Sequence, residues 1–152
     1  MILSSLCYIE KDGKYLMLHR TKKKKDINKD KWLGIGGKLE EGESPEECIV
    51  REVKEETGLT LKQYKLRGFV TYVSNKWETE YMYVFTANKF EGNLIECDEG
   101  DLKWINKEKI NELPTWEGDH IFMEKLQKDN GFFSAKFEYD GEKLVKYEMT
   151  EY

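Results

Sequence analysis

At 152 residues, 39% hydrophobic and 13% aromatic, the chain has the length and apolar content of one compact domain, not of a disordered segment. A net charge of −5 argues against stable nucleic-acid binding, which needs clustered Lys and Arg, although divalent cations could still join an acidic protein to a polyphosphate. Cys7, Cys48 and Cys97 lack disulfide or zinc spacing, and no apolar stretch nears the ~18 residues of a membrane span, so a soluble, cytoplasmic protein with reduced thiols is expected.

The first elements read as strands. Leu3–Ile9 and Tyr15–His19 flank the turn Lys11-Asp12-Gly13-Lys14 and predict an antiparallel hairpin. A polar loop, Lys22–Lys31, follows; its four consecutive lysines suit either a solvated loop or a device that draws in polyphosphate. Trp32–Gly37 is short, apolar and glycine-rich. Further on, Leu66–Val73, Glu80–Ala87 and Leu102–Ile105 have strand composition, and helical patterns lie near Lys107–Glu112 and Asp119–Gln127. Phe132–Tyr139 and Lys143–Met149, joined through Asp140-Gly141, predict a second hairpin. Strands interrupted by a few helices predict a mixed α/β sandwich, not a doubly wound parallel sheet, built as one domain over residues 1–152.

Between these elements lies the segment with the most chemistry. Ser44 and Glu47 form a capping-box pattern, Pro45 takes the first helical position, and Gly58 supplies a stop, so a helix is predicted from about Pro45 to Thr57. Glu52, Glu55 and Glu56 stand at i, i+3 and i+4 and share a face, with an apolar stripe of Ile49, Val50 and Val53 on a neighbouring side. Like charges so spaced repel, and a hard cation such as magnesium or manganese would relieve that repulsion. Arg51 is spaced to pair with Glu47 and Glu55. Three glutamates alone would equally suit an acidic helix facing solvent.

The whole of residues 37–59, however, fits the pattern G-x5-E-x7-R-E-U-x-E-E-x-G-U, where U is a bulky aliphatic. Gly37, Glu43, Arg51, Glu52, Val53, Glu55, Glu56, Gly58 and Leu59 fill every specified position. On these residues the chain resembles the Nudix hydrolases. The resemblance implies an α/β/α sandwich with a mixed central sheet and a loop–helix–loop at residues 37–59. It also implies magnesium-dependent hydrolysis of a nucleoside diphosphate derivative, with manganese as a possible substitute. By position, Glu52, Glu55, Glu56 and the Gly37 carbonyl look like metal ligands, and Glu43 and Arg51 like supports. Lys38 is similar to a phosphate-contacting lysine, and Glu99 to a downstream glutamate that completes the metal site. Either Glu52 or Glu99 could be the general base; Glu99 could also be a surface acid.

Gly34–Lys38, Cys97-Asp98-Glu99, Thr115–His120 and Phe132–Phe137 together resemble the MutT-like 8-oxo-dGTP diphosphatases, especially the MutX type of Gram-positive bacteria. The implied substrate is a nucleoside triphosphate. Trp116 would stack on its purine and Asp119 would hydrogen-bond the purine edge; the residues also suit a core aromatic and a helix N-cap. Leu33 and Gly118 depart from the mammalian oxidised-purine enzyme, which has asparagine and aspartate there. Arg20 resembles an arginine that reaches the nucleotide, and equally suits the surface. Hydrolysis of ADP-ribose, a dinucleoside polyphosphate or an RNA 5′ end, or a non-catalytic sensing role, are the alternatives. Oligomeric state is not legible.

Overall fold

Strand β1 (Ile2–Lys11) is apolar on both faces, and much of the architecture follows from burying both. In the computed structural model, which describes residues 1–152, Leu6 and Tyr8 enter one core while Cys7 and Ile9 enter the other. A strand with no solvent face must lie inside a layered fold. The same alternation marks β2 (Lys14–Arg20), where Tyr15 and Met17 face one way and Leu16 and Leu18 the other. The remaining strands are β3 (Trp32–Leu33), β4 (Ile35–Lys38), β5 (Thr60–Ser74), β6 (Glu80–Glu91), β7 (Gly100–Asn106), β8 (Phe133–Asp140) and β9 (Lys143–Glu151).

The strand order is β3-β2-β1-β6-β5-β8-β9, with β4 paired to β1 and β7 to β2. Parallel pairs (β1 with β6, β5 with β8) are mixed with antiparallel ones. Helix α1 (Pro45–Thr57) covers the face carrying Cys7, Leu18, Ile35 and Phe85. Helix α2 (Glu117–Lys128) covers the opposite face through Phe122, Met123 and Leu126 against Tyr8, Phe133 and Phe137. The predicted α/β/α sandwich is what forms.

Three expectations need correction. The β1–β2 hairpin pairs only at Glu10↔Tyr15 and Lys11↔Lys14, because β1 then joins β4 and β6 while β2 turns away to β3 and β7. Turn chemistry shows that the chain reverses; sheet membership is decided by long-range partners. Strand β5 is also far longer than predicted, since Thr60–Lys65 pairs with the polar end of β6 through two register shifts. The helix near Lys107–Glu112 is a 3-10 turn.

The β1–β4 pairing sets the floor of the cleft described below, and it requires glycine. A Cβ on Gly36 would fall 1.9 Å from the Ser5 carbonyl oxygen. Gly36→Ala is therefore expected to destabilise the fold by about 2 kcal/mol or more, read as a lower urea midpoint at unchanged slope.

Candidate active site

Helix α1 is held at both ends by its own sequence. The Ser44 hydroxyl accepts from the Glu47 N–H at 3.0 Å, the Glu47 carboxylate accepts from the Ser44 N–H at 3.0 Å, and Gly58 closes the helix at φ 82°. Cys48, Ile49, Val53 and Thr57 are buried beneath it. That anchorage turns Glu52 and Glu56 toward a cleft of about 700 Å³, which Gly37, Arg51 and Glu99 also line.

Arg51 braces this end, though not with both partners that spacing suggested. It meets Glu55 at 3.2 Å, but Glu47 is occupied by the capping box. Its main partner is Glu43 on the preceding loop, a two-point pair at 2.7 and 2.9 Å. The same guanidinium reaches Glu52 at 2.8 Å and the Lys38 carbonyl at 3.1 Å. Hydrogen bonding to Arg51, foremost, holds the Glu43 carboxyl down at about 2. Loop and helix are thus tied together by one fixed charge pair.

The acidic side chains are not equivalent. Glu55 is largely exposed and does not line the cleft. Glu52 is mostly covered, and burial, foremost, raises its carboxyl. In Glu56, Oε2 is buried with no hydrogen-bond partner. Burial, and after it the neighbouring Glu99 carboxylate, push Glu56 up to about 9. Glu99 sits on the turn entering β7, held by Arg20 at 3.1 Å and Lys23 at 3.1 Å. No three acidic side chains already share one ligating point, as expected of like charges with only cationic side chains to separate them. The donor set nonetheless fits a hard divalent cation: carboxylate oxygens, one of them buried without a partner, beside the Gly37 backbone. Gly37 must be glycine for this approach, since a Cβ there would lie 2.5 Å from the Glu52 carboxyl carbon. The Gly37 carbonyl takes a 3.5 Å contact from the Cys48 thiol.

Away from the carboxylates of α1 the cleft is aromatic, with Tyr72, Trp77, Trp116 and Tyr139 in its lining. Leu33, Lys38, Arg20, Trp116 and Asp119 all line it. Trp116 occupies the N-cap position of α2 without a side-chain capping bond. Its indole N–H donates to Asn28 Oδ1 at 2.7 Å, its ring meets Trp77 and Tyr139 edge-on, and the Lys31 ammonium sits 4.4 Å from the ring centre. Asp119 is 4% exposed and is not an N-cap; it accepts hydrogen bonds from the Tyr72 hydroxyl and, at 3.4 Å, from the Thr115 hydroxyl. Burial raises its carboxyl to about 7, against the lowering effect of the Tyr72 bond. Gly118 has no room for a side chain, because a Cβ would lie 2.8 Å from Phe137 Cγ.

Arg20 proves not to be a free surface arginine: it links Asp26 at 2.8 Å to Glu99. Lys23 and Lys25 of the lysine run belong to the cleft, as do Tyr72, Asn28 and Asp26, which no sequence signal marked. Nothing in spacing ties Tyr72 to a residue 47 positions later. A second cavity, about 780 Å³ and lined by charged side chains around Phe90, contains none of the expected site residues.

Known proteins similar to this chain share one domain family. The NUDIX domain model matches residues 4–126. The oxidized purine nucleoside triphosphate hydrolase of Danio rerio is 33% identical over 133 residues, 85% of this chain and 83% of that protein. The ADP-ribose pyrophosphatase of Methanocaldococcus jannaschii is 36% identical over 122 residues, 80% of this chain and 68% of that protein. The crystal structure of the mutator MutT protein from Bacillus halodurans superposes with a TM-score of 0.88 at 26% identity, covering 98% of this chain and 97% of that one.

Proposed function

The chain belongs to the Nudix family, hydrolases of pyrophosphate bonds that work with a divalent metal ion, and on that premise we propose that it converts 8-oxo-dGTP to 8-oxo-dGMP and pyrophosphate, using magnesium and cleansing the nucleotide pool of a mutagenic precursor. One observation carries the reading. A single cleft runs from the carboxylates of α1 to a pocket where an indole and a buried carboxyl stand together. Its two ends match the two ends of a nucleoside triphosphate. The identity shared with an oxidized purine nucleoside triphosphate hydrolase supports the same choice.

In this scheme Glu52, Glu56 and Glu99, with Glu55 at the outer edge and the Gly37 carbonyl, would hold magnesium or manganese. When bound, the ion neutralises phosphate charge and lowers the pKa of coordinated water. Water adds across the anhydride bond between the α- and β-phosphorus atoms, that P–O bond breaks, and 8-oxo-dGMP and pyrophosphate separate. Glu52 or Glu99 accepts the proton, Glu52 held by Arg51 and Glu99 by Arg20 and Lys23. Lys38 and Arg20, both lining the cleft, orient the phosphates. Glu43 and Arg51 position the loop and touch no reacting atom.

At the other end Trp116 stacks on the base and Asp119 meets its edge. Oxidation at C8 turns N7 of guanine from acceptor to donor. An aimed carboxyl therefore gains a hydrogen bond from 8-oxoguanine that guanine cannot supply. Trp116→Ala is expected to cut the preference for 8-oxo-dGTP over dGTP about 3- to 10-fold, the worth of a stacking contact, because a base free to tilt loses its alignment on Asp119. An unchanged ratio of kcat/KM values removes Trp116 from the base site.

The decisive assay measures hydrolysis of 8-oxo-dGTP, dGTP and ADP-ribose in parallel, with magnesium and with a chelator. The expected result is fastest turnover of 8-oxo-dGTP, lost on chelation. Preference for ADP-ribose would instead support the second reading, which the 36% identity to an ADP-ribose pyrophosphatase favours. No turnover of any of them would point to a sensing module.

A further inference from the structure

Among the ionisable side chains of the cleft that have no part in the scheme above, Glu80 lies at the base pocket, beside Tyr72. Glu80 opens β6 and lies opposite Tyr72 on β5 and Ile2 on β1. Residues directly opposite on paired strands point to the same face. Glu80 therefore stands beside Tyr72, whose hydroxyl donates to Asp119. Two residues further along β6 the same face is already core, with Met82 beside Val70 and Ala135. Glu80 is thus the point where that face leaves the core for the cleft.

Its carboxylate is anchored on one side only. The hydroxyl of buried Ser4 donates to Oε2 at 2.5 Å, while Oε1 receives no hydrogen bond and no Lys or Arg pairs with the group. The second oxygen is thus free to accept from a donor that enters the cleft. Position 118 cannot supply a second carboxylate beside Asp119, because Gly118 has no space for a side chain, and Glu117 of the same turn does not line the cleft. The charge of Glu80 reaches Asp119: after burial and the Tyr72 bond, it is the next influence on that carboxyl, and it raises it.

We propose that Glu80 is a second base-reading residue, whose free oxygen accepts from the N1–H and 2-amino donors of a guanine-type base and so selects 2-amino-6-oxopurines over adenine. An ionised carboxylate only accepts. Guanine presents two adjacent donors on that edge, whereas adenine presents the N1 lone pair, which a carboxylate repels. The inference rests on reading the cleft as a nucleotide site. It is independent of C8 oxidation, which Asp119 is taken to sense.

The test uses the intact 152-residue chain with magnesium and four substrates: 8-oxo-dGTP, dGTP, 8-oxo-dATP and dATP. Wild type should favour each guanine over the matching adenine nucleotide. Glu80→Gln, which places an amide at that edge, should cut that guanine-to-adenine ratio of kcat/KM about 10- to 100-fold while leaving the melting temperature unchanged. Ser4→Ala, which frees the anchored oxygen, should reduce the ratio by a smaller factor, and serves if Glu80→Gln does not fold. Absence of any guanine preference in the parent, an equal loss on both bases, or full preference retained in the folded variants would each overturn the assignment. If guanine preference exists and falls in Glu80→Gln while 8-oxo-dGTP is no better than dGTP, Glu80 stands and the 8-oxo reading falls.

Discussion

Glu56→Gln is expected to lower kcat on the order of 10³-fold while the protein remains folded. The side chain lies on the cleft wall, with Oε2 buried and unpartnered, beside Glu99 and Glu52. As part of a cation site it supplies a charged oxygen that an amide replaces poorly. Structurally it supplies little, since the core beneath α1 is made by Cys48, Ile49 and Val53. Burial and Glu99 push the Glu56 carboxyl up to about 9, so at neutral pH without added cation an amide replaces a neutral carboxyl, and the melting temperature should stay close to that of the parent. Glu55→Gln is expected to do less, about 10- to 100-fold, because Glu55 is exposed and pairs with Arg51 from outside the cleft. Steady-state kinetics across a magnesium titration, with thermal melts alongside, separates the effects. Turnover close to the parent in Glu56→Gln would exclude it from the metal site.

The second large effect belongs to Asp119→Asn, and it has two signatures. Loss of an aimed acceptor in a buried pocket should reduce the preference for 8-oxo-dGTP over dGTP by about 100-fold. The other signature lies in stability against pH. Burial lifts the Asp119 carboxyl from 3.8 to about 7 in the folded protein. The folded state then holds this proton more tightly than the unfolded chain does. The stability it contributes is fully present below 3.8, falls as pH rises through the interval, and is gone above about 7. Asparagine does not ionise, so the variant should lack this decline. Its stability relative to the parent should rise between pH 4 and pH 8 by a few kcal/mol, on the order of the linkage expected for such a shift. Urea unfolding at several pH values reads this directly. A parallel pair of curves would mean that Asp119 is ionised throughout and that its pocket is wetter than the structure indicates.

Tyr72 shows why such a pocket escapes a reading of spacing. Its hydroxyl meets Asp119 only because β5 runs past β6 in one register and α2 packs across the same face. Arg51 is a smaller instance: counting along the helix offers Glu47 and Glu55, but the capping box occupies the first. The loop beginning at Gly37 folds back to present Glu43 instead. Glu99 and Arg20 belong to the same class, joined across 79 positions by the β2–β7 pairing.

By itself the sequence determined the ends of α1, the buried stripe beneath it, and the grouping of Glu52, Glu55 and Glu56 on one side, of which Glu55 does not line the cleft. Those features lie within a few turns of helix, where backbone geometry places residues three and four apart together whatever surrounds them. The apolar runs Leu3–Ile9 and Tyr15–His19 likewise marked two strands, though not the partners that cover both their faces. Tertiary structure alone decided which carboxylates face the cleft and which arginine holds which acid. It alone set Asp119, Tyr72 and Glu80 around one volume. Strand register and helix docking bring distant residues to one place, and those are settled by the packing of the whole core, not by any local run of residues.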